Sequence, residues 1–253
     1  SQIFIDRKYY DFDDPRLDRS TKVTYGALSY VFDNVLWGYT GPINGRRYKL
    51  TLDAGLNLFD RNDISFRSVD LDYRRYWDIA KTGSFAIRMA GGASFGRTPK
   101  TYFVGGVSNW IGSRNLEQPV YEVENLYFAD VITPLRGQPL YGVAGDRYAV
   151  INAELRFPLV QVLALRFPLP LVFQNIRGAL FTDMGAAWSG SRFKGGSSSG
   201  GKDHLQDIRT GFGVGMRMNL AGLALLRYDI AWSTDFDKVS DRPTHYFSLG
   251  ADF

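Results

Sequence analysis

The chain has 253 residues and a formal net charge of only +4, and it contains no cysteine. The lack of cysteine excludes disulfide bonds and thiolate metal sites, and the small charge, without any run of basic residues, gives no support for nucleic-acid binding. No stretch of about 18 consecutive apolar residues is present, so a transmembrane helix is not predicted. The 27 glycines and the 15% of aromatic residues suit many strands joined by turns.

Apolar and polar side chains alternate along much of the chain. Between Arg47 and Leu58, for example, Leu50 and Leu52 share one face while Lys49 and Asp53 share the other. Because successive side chains of a strand point to opposite faces, this alternation predicts strands with one apolar and one polar face. Nine strands are predicted, at residues 21–33, 47–58, 64–76, 84–95, 149–157, 176–188, 208–219, 224–232 and 244–253.

The segments between these strands divide the chain. Residues 1–19 are expected to be a linker or, at residues 3–12, an extra strand with poor alternation, and residues 20–253 form the main domain. Short polar turns are predicted at residues 60–63 and 81–83, and a flexible glycine and serine loop at residues 195–201. Residues 97–145 form one long connection with little strand pattern, which is unusual unless it is functional.

The fold class predicted is an all-β transmembrane antiparallel barrel. The strands have about ten residues, which is the length that crosses a bilayer at a tilt and exceeds the usual ~5–6 residues of soluble strands. Their polar faces carry charges, as the wall of a wet lumen would, and their apolar faces end in aromatic residues. The alternative is a soluble β-sandwich, which would have shorter strands and no aromatic girdle.

Five motifs in the second half occur in a characteristic order. They are PLRG at 134–137, NAELRFP at 152–158, FTDMG at 181–185, GVGMR at 213–217 followed by RYDIAW at 227–232, and a last strand ending in Phe253. In this order they resemble the barrel of the bacterial surface antigen superfamily, which includes the outer-membrane assembly factors BamA and TamA and the two-partner secretion transporters. Gln138 departs from the aromatic residue that usually follows the Arg-Gly pair, and no preceding soluble domain is visible.

The resemblance implies a bacterial, Gram-negative outer-membrane barrel of the sixteen-strand type that aids insertion or translocation of polypeptides. Nine or ten strands are recognisable here, so the chain is expected to be the C-terminal part of such a barrel, although a complete ten-strand barrel stays open. The long loop is expected to fold inward, with Arg136 and Gly137 at its tip and Arg136 paired with Asp183 or Glu154 on the wall. From residue type alone, a solvated loop arginine is the alternative.

Two further sets of residues stand out. Gly213 and Gly215 share the polar face with Arg217 and would leave room for the loop or for a close backbone approach; a nucleotide-binding turn is disfavoured because no helix follows. The resemblance implies that the aromatic last strand carries a β-signal for outer-membrane targeting, at Phe247, Leu249 and Phe253.

No catalytic residue, metal site or cofactor is predicted. Ser94 matches a nucleophile-elbow pattern, but that motif needs a following helix and a histidine partner, and the chain has only two histidines, His204 and His245. The predicted partners are the lipid bilayer and lipopolysaccharide, unfolded outer-membrane proteins, and other chains that complete the barrel, but not nucleic acid. Two other functions stay open: an anchor that displays a soluble propeller-type domain, and a passive pore.

Overall fold

The computed structural model describes residues 24–56, 65–79, 83–111, 128–166, 168, 171–191, 193–199, 202–205, 207–220 and 224–250. None of these segments forms a helix that could reach across a bilayer. The described residues form fifteen strands: β1 (Thr24–Asp33), β2 (Leu36–Gly38), β3 (Gly41–Leu56), β4 (Ser65–Ile79), β5 (Gly83–Gly96), β6 (Thr101–Val104), β7 (Ala129–Ile132), β8 (Val143–Gly145), β9 (Arg147–Leu165), β10 (Leu171–Trp188), β11 (Gly196–Ser199), β12 (Lys202–Leu205), β13 (Ile208–Leu220), β14 (Ala224–Thr234) and β15 (Thr244–Leu249).

Nine long strands form one antiparallel meander. Their order is β1-β3-β4-β5-β9-β10-β13-β14-β15, with the short β2 paired to β3. These nine strands are the nine predicted from the alternation, and the all-β antiparallel class is confirmed. Within the described residues β1 and β15 do not pair, so the sheet is open and a closed barrel is not seen.

The apolar face of this sheet is exposed and its polar face is buried, which is the reverse of a sheet in a soluble protein. Apolar side chains of the outer face are exposed, as at Leu28 (71%) and Ile151 (50%), whereas polar side chains of the inner face, such as Asn152 and Asp183, are fully buried. A soluble β-sandwich covers its apolar face with a second sheet. The exposed apolar face therefore contradicts the sandwich alternative.

The described residues of the long connection, 97–111 and 128–145, pack against the inner face of the meander. Its strand β6 pairs in parallel with β7 and antiparallel with β8. Tyr102, Val104 and Leu135 from this connection form a buried cluster with Tyr148 and Val150 of β9. The sequence indicated little strand here because these strands have only three or four residues and β6 is buried on both faces, which removes the alternation.

Other segments also differ from the predictions. Residues 196–199, expected to lie in a flexible loop at residues 195–201, pair with residues 202–205 as a hairpin. Backbone pairing does not require apolar side chains, so the composition gave no signal. Strand β9 continues past its predicted end at residue 157 to Leu165. Pro158 lies beside a register shift in β10 between Ile176 and Arg177, the kind of position at which a strand accepts proline.

Tyr102 tests how strongly the long connection is packed. Its side chain is fully buried, its ring lies 4.7 Å from that of Tyr148, and its hydroxyl donates to Asp70 Oδ2 at 3.1 Å. We expect Tyr102→Ala to lower the free energy of unfolding by about 3–5 kcal/mol through the cavity it leaves, as measured by urea denaturation. Tyr39→Ala, at a residue that is 76% exposed, should lower the free energy of unfolding much less. Equal decreases in the two variants would contradict the packing of Tyr102.

Candidate functional site

The tip of the long connection, residues 134–138, packs against the inner face, where Leu135 and Arg136 are fully buried. Backbone hydrogen bonds in both directions between Leu135 and Gly106, of 2.8 and 3.1 Å, hold it to the chain that follows β6. Gly137 has a φ of 86°, and a Cβ there would lie 2.9 Å from the carbonyl oxygen of Trp232. The tight turn at the tip therefore requires glycine.

Arg136 has no exposed surface and is held by two carboxylates from neighbouring strands. Its Nε and Nη2 donate to the two oxygens of Asp183 on β10 at 2.6 and 2.9 Å, and its backbone N–H donates to the same carboxylate at 2.9 Å. Its Nη1 donates to Glu154 Oε2 on β9 at 2.6 Å. This is the bidentate geometry that a planar guanidinium favours.

The surroundings keep the Arg136 guanidinium charged. Burial by itself lowers the pKa of Arg136, but the charges of Asp183 and Glu154 outweigh this effect and hold the pKa well above its ordinary value. The guanidinium carbon also lies 3.5 Å from the ring centroid of Phe181, a cation–π contact that strengthens when water is excluded. The tip therefore delivers a permanent positive charge to the inner face.

Other buried charges extend this contact into an arginine network. Glu154 also accepts from Arg156 Nε at 2.8 Å and Arg217 Nη2 at 2.9 Å. Arg217 Nη1 donates to Asp229 at 2.6 Å. The arginine network comprises four arginines and three carboxylates, each with a side chain at most 5% exposed: Arg136, Arg156, Arg217, Arg227, Glu154, Asp183 and Asp229.

Two uncharged side chains complete the attachment of the tip, and the sequence analysis missed both. Asn152 Nδ2 donates to Asp183 Oδ1 and to the carbonyl of Pro134, each at 2.9 Å. The Tyr246 hydroxyl on β15 accepts from the Gly137 N–H at 2.9 Å and donates to the Gln138 carbonyl at 2.7 Å. Both residues occupy polar-face positions of their strands, so the alternation could have identified them as candidates.

The glycines of β13 make room for this arrangement. A Cβ at Gly211, which was not singled out, would lie 1.9 Å from the Arg136 carbonyl oxygen. At Gly215 it would lie 1.9 Å from Asp229 Oδ1, and at Gly213 2.0 Å from the Ile230 carbonyl oxygen. The loop backbone thus approaches β13 closely at Gly211. Gly213 and Gly215 instead leave space for the backbone of β14 and for the ion pair of Arg217 with Asp229.

The remaining predicted site residues lie apart from the arginine network. Phe247 and Leu249 are on the outer face of β15 and are 40% and 41% exposed, and Phe253 lies outside the described residues. The described part of the chain contains no group of histidines and acidic residues arranged to hold a metal ion. Since the carboxylates of the arginine network are engaged by guanidinium groups, the arrangement is suited to fixing the loop tip.

We expect Asp183→Asn to lower the free energy of unfolding by about 3–5 kcal/mol, because it leaves the buried Arg136 charge without its main partner. The matched control is Asp33→Asn, whose carboxylate lies 3.6 Å from Arg47 with both side chains about 40% exposed; its effect should stay below about 1 kcal/mol. Urea denaturation of both variants measures the difference. Similar losses would mean that the buried pair does not hold the tip.

Gly211→Ala should displace the tip without changing any charge, since its Cβ would overlap the Arg136 carbonyl oxygen. We expect trypsin to cleave after Arg136 much faster in this variant than in the parent chain. The control is Gly26→Ala, because a Cβ at Gly26 meets no atom within 4 Å. An unchanged cleavage rate in Gly211→Ala would contradict the close approach of the loop to β13.

Comparison with known proteins identifies the family of this chain. The family model of the Omp85 superfamily domain matches residues 38–253, most of the chain, whereas no curated protein sequence gives a significant match. Members of this superfamily are assembly factors and transporters of the bacterial outer membrane rather than enzymes, and they work with membrane lipids and substrate proteins. The family match confirms the resemblance read from the five motifs, and the chain belongs to the Omp85 superfamily.

Proposed function

We propose that the chain forms the C-terminal part of a closed, multi-pass β-barrel in the bacterial outer membrane, with residues 20–253 as its barrel region. The exposed apolar outer face supports this proposal, because hydrocarbon is the surrounding that such a face favours. The inner face, with its buried charges, then becomes the wall of the lumen, and residues 97–145 become a loop folded into it. Within this proposal the exposed Phe247 and Leu249 belong to the targeting strand that ends at Phe253.

The directions of the strands support a larger barrel. In an antiparallel meander of nine strands, the first and the ninth strand run in the same direction. Direct pairing of β1 with β15 would therefore be parallel, unlike every other pair of the meander. Bacterial single-chain barrels have an even number of antiparallel strands, and an open edge cannot face lipid. Closure therefore requires at least one further strand, from the chain itself or from another chain.

We infer that this barrel aids the insertion or translocation of polypeptides at the outer membrane, with the arginine network fixing the loop inside the lumen. The observation that carries this inference is Arg136, a fully buried charge at a loop tip, held by carboxylates of two wall strands. A passive pore needs an open lumen, whereas side chains of the loop, Tyr102 and Leu135 among them, fill this inner face. A fixed internal loop suits a barrel whose passage is controlled.

The proposed function can be tested with the purified chain in lipid vesicles. A urea-denatured eight-stranded outer-membrane barrel is added, and its folding is followed by heat-resistant gel mobility. We expect the chain to accelerate this folding several-fold over empty vesicles. Arg136→Ala should abolish most of the acceleration and should raise single-channel conductance in planar bilayers, because the loop tip is released.

The matched control is Arg47→Ala, which removes a half-exposed arginine of β3 that pairs with Asp33 of β1 outside the arginine network and should leave acceleration and conductance unchanged. If the parent chain gives no acceleration, assembly activity is contradicted and a membrane anchor is favoured. High conductance of the parent chain would instead favour a passive pore.

A further inference from the structure

The free edge of β15 is not bare. Ile111 N–H donates to the Phe247 carbonyl at 2.7 Å, and Asn109 Nδ2 donates to the Leu249 carbonyl at 3.1 Å. Between them, Trp110 and Ser248 form an antiparallel bridge. The two carbonyls lie two residues apart on the side of β15 opposite β14, which is where a further strand would bind.

Residues 109–111 are held in this position from two directions. The Trp110 ring packs on the ring of Tyr246, with centroids 4.6 Å apart, next to the buried Val107. Asn109 has a φ of 53°, a left-handed conformation that asparagine tolerates better than most residues. This turn directs the Asn109 side-chain amide to the edge of β15. Residues 109–111 therefore each make a defined contact with that edge.

We propose that residues 109–111 are a built-in cap on the strand-accepting edge of β15, and that an extended backbone running antiparallel to β15 pairs with this edge only after the cap leaves. An unpaired strand edge is a template for another strand, and the cap occupies two of the carbonyls that such a strand needs. The proposal goes beyond polypeptide assembly, because it concerns which backbone occupies the edge and not what the barrel transports.

The cap and the loop tip share one side chain. Tyr246 contacts Trp110 through its ring and binds Gly137 and Gln138 through its hydroxyl. Movement of the tip away from Tyr246 therefore removes part of the support of the cap. The edge of β15 is in this way connected to the loop tip through Tyr246 of β15.

Disulfide trapping tests the position of the cap, and the chain has no cysteine of its own. The bond from Ile111 to Phe247 makes Trp110 and Ser248 a non-hydrogen-bonded pair, whose Cα atoms lie about 4.5 Å apart, within the range of disulfides. In detergent, Trp110→Cys/Ser248→Cys should therefore cross-link much faster than Trp110→Cys/Phe247→Cys, whose strand side chain points to the other face. Equal rates in the two pairs would overturn the proposal.

Opening of the edge is tested with a second copy of the chain as the probe strand. Asn109→Gly keeps the φ of the turn but removes the amide donor, and Trp110→Ala removes the ring contact. We expect this double variant to lose hydrogen-exchange protection at the Ile111 amide and to dimerise several-fold more tightly in sedimentation experiments. The oxidised Trp110→Cys/Ser248→Cys chain should remain monomeric, and its reduction, which leaves the segment without the Trp110 ring contact, should make it dimerise more tightly than the parent chain.

Two results would contradict the cap. One is a double variant that exchanges freely at Ile111 yet stays as monomeric as the parent chain, because an opened edge would then attract no strand. The other is unchanged protection at Ile111, because Asn109 and Trp110 would then not be what holds the segment. Asn109→Gly alone preserves the packing of Trp110 on Tyr246. It should cause a smaller loss of protection at Ile111 and a smaller gain in dimerisation, which shows that general unfolding of the double variant is not the cause.

Discussion

Arg136 loses all contact with water, and a guanidinium can be buried in this way only if carboxylates replace the lost hydration. Those carboxylates come from β9 and β10, 18 and 47 residues further along the chain. Phe181, Asn152 and Tyr246 then fit around the tip that Arg136 holds, and glycines on β13 leave space for it. The path of the long connection thus depends on the carboxylates that replace water around the Arg136 charge. The apolar cluster around Tyr102 is the second contact that holds the connection to the inner face.

The second constraint is the reversal of the sheet. In a soluble protein the apolar face of a sheet forms the core, but here the core consists of the polar face and the connection packed upon it. Buried charges are costly and therefore occur in mutually compensating sets, which is what the four arginines and three carboxylates provide. Membership in the Omp85 superfamily accounts for this reversal, because an outer-membrane protein meets hydrocarbon on its outside.

The alternation predicted all nine meander strands and, for six of them, which side chains share a face, because a period of two is a local property. It could not predict β6, whose three consecutive buried residues Tyr102, Phe103 and Val104 show no alternation. The family motifs implied that Arg136 pairs with Asp183 or Glu154, and in the structure it contacts both, whereas Asn152, Tyr246 and Asp229 were not singled out. Those contacts, like that of Trp110 with Ser248, depend on which distant segments meet, and a single sequence contains no direct signal of such proximity.

The arginine network also constrains the order in which the molecule can assemble. Its members come from the loop tip and from β9, β10, β13 and β14, so no single hairpin contains enough partners to neutralise the set. If these strands associated without the loop, Glu154 and Asp183 would be left on the inner face without the Arg136 guanidinium that they share. We therefore expect the loop to dock as these strands associate, in a slow folding step that brings distant parts of the chain together at once.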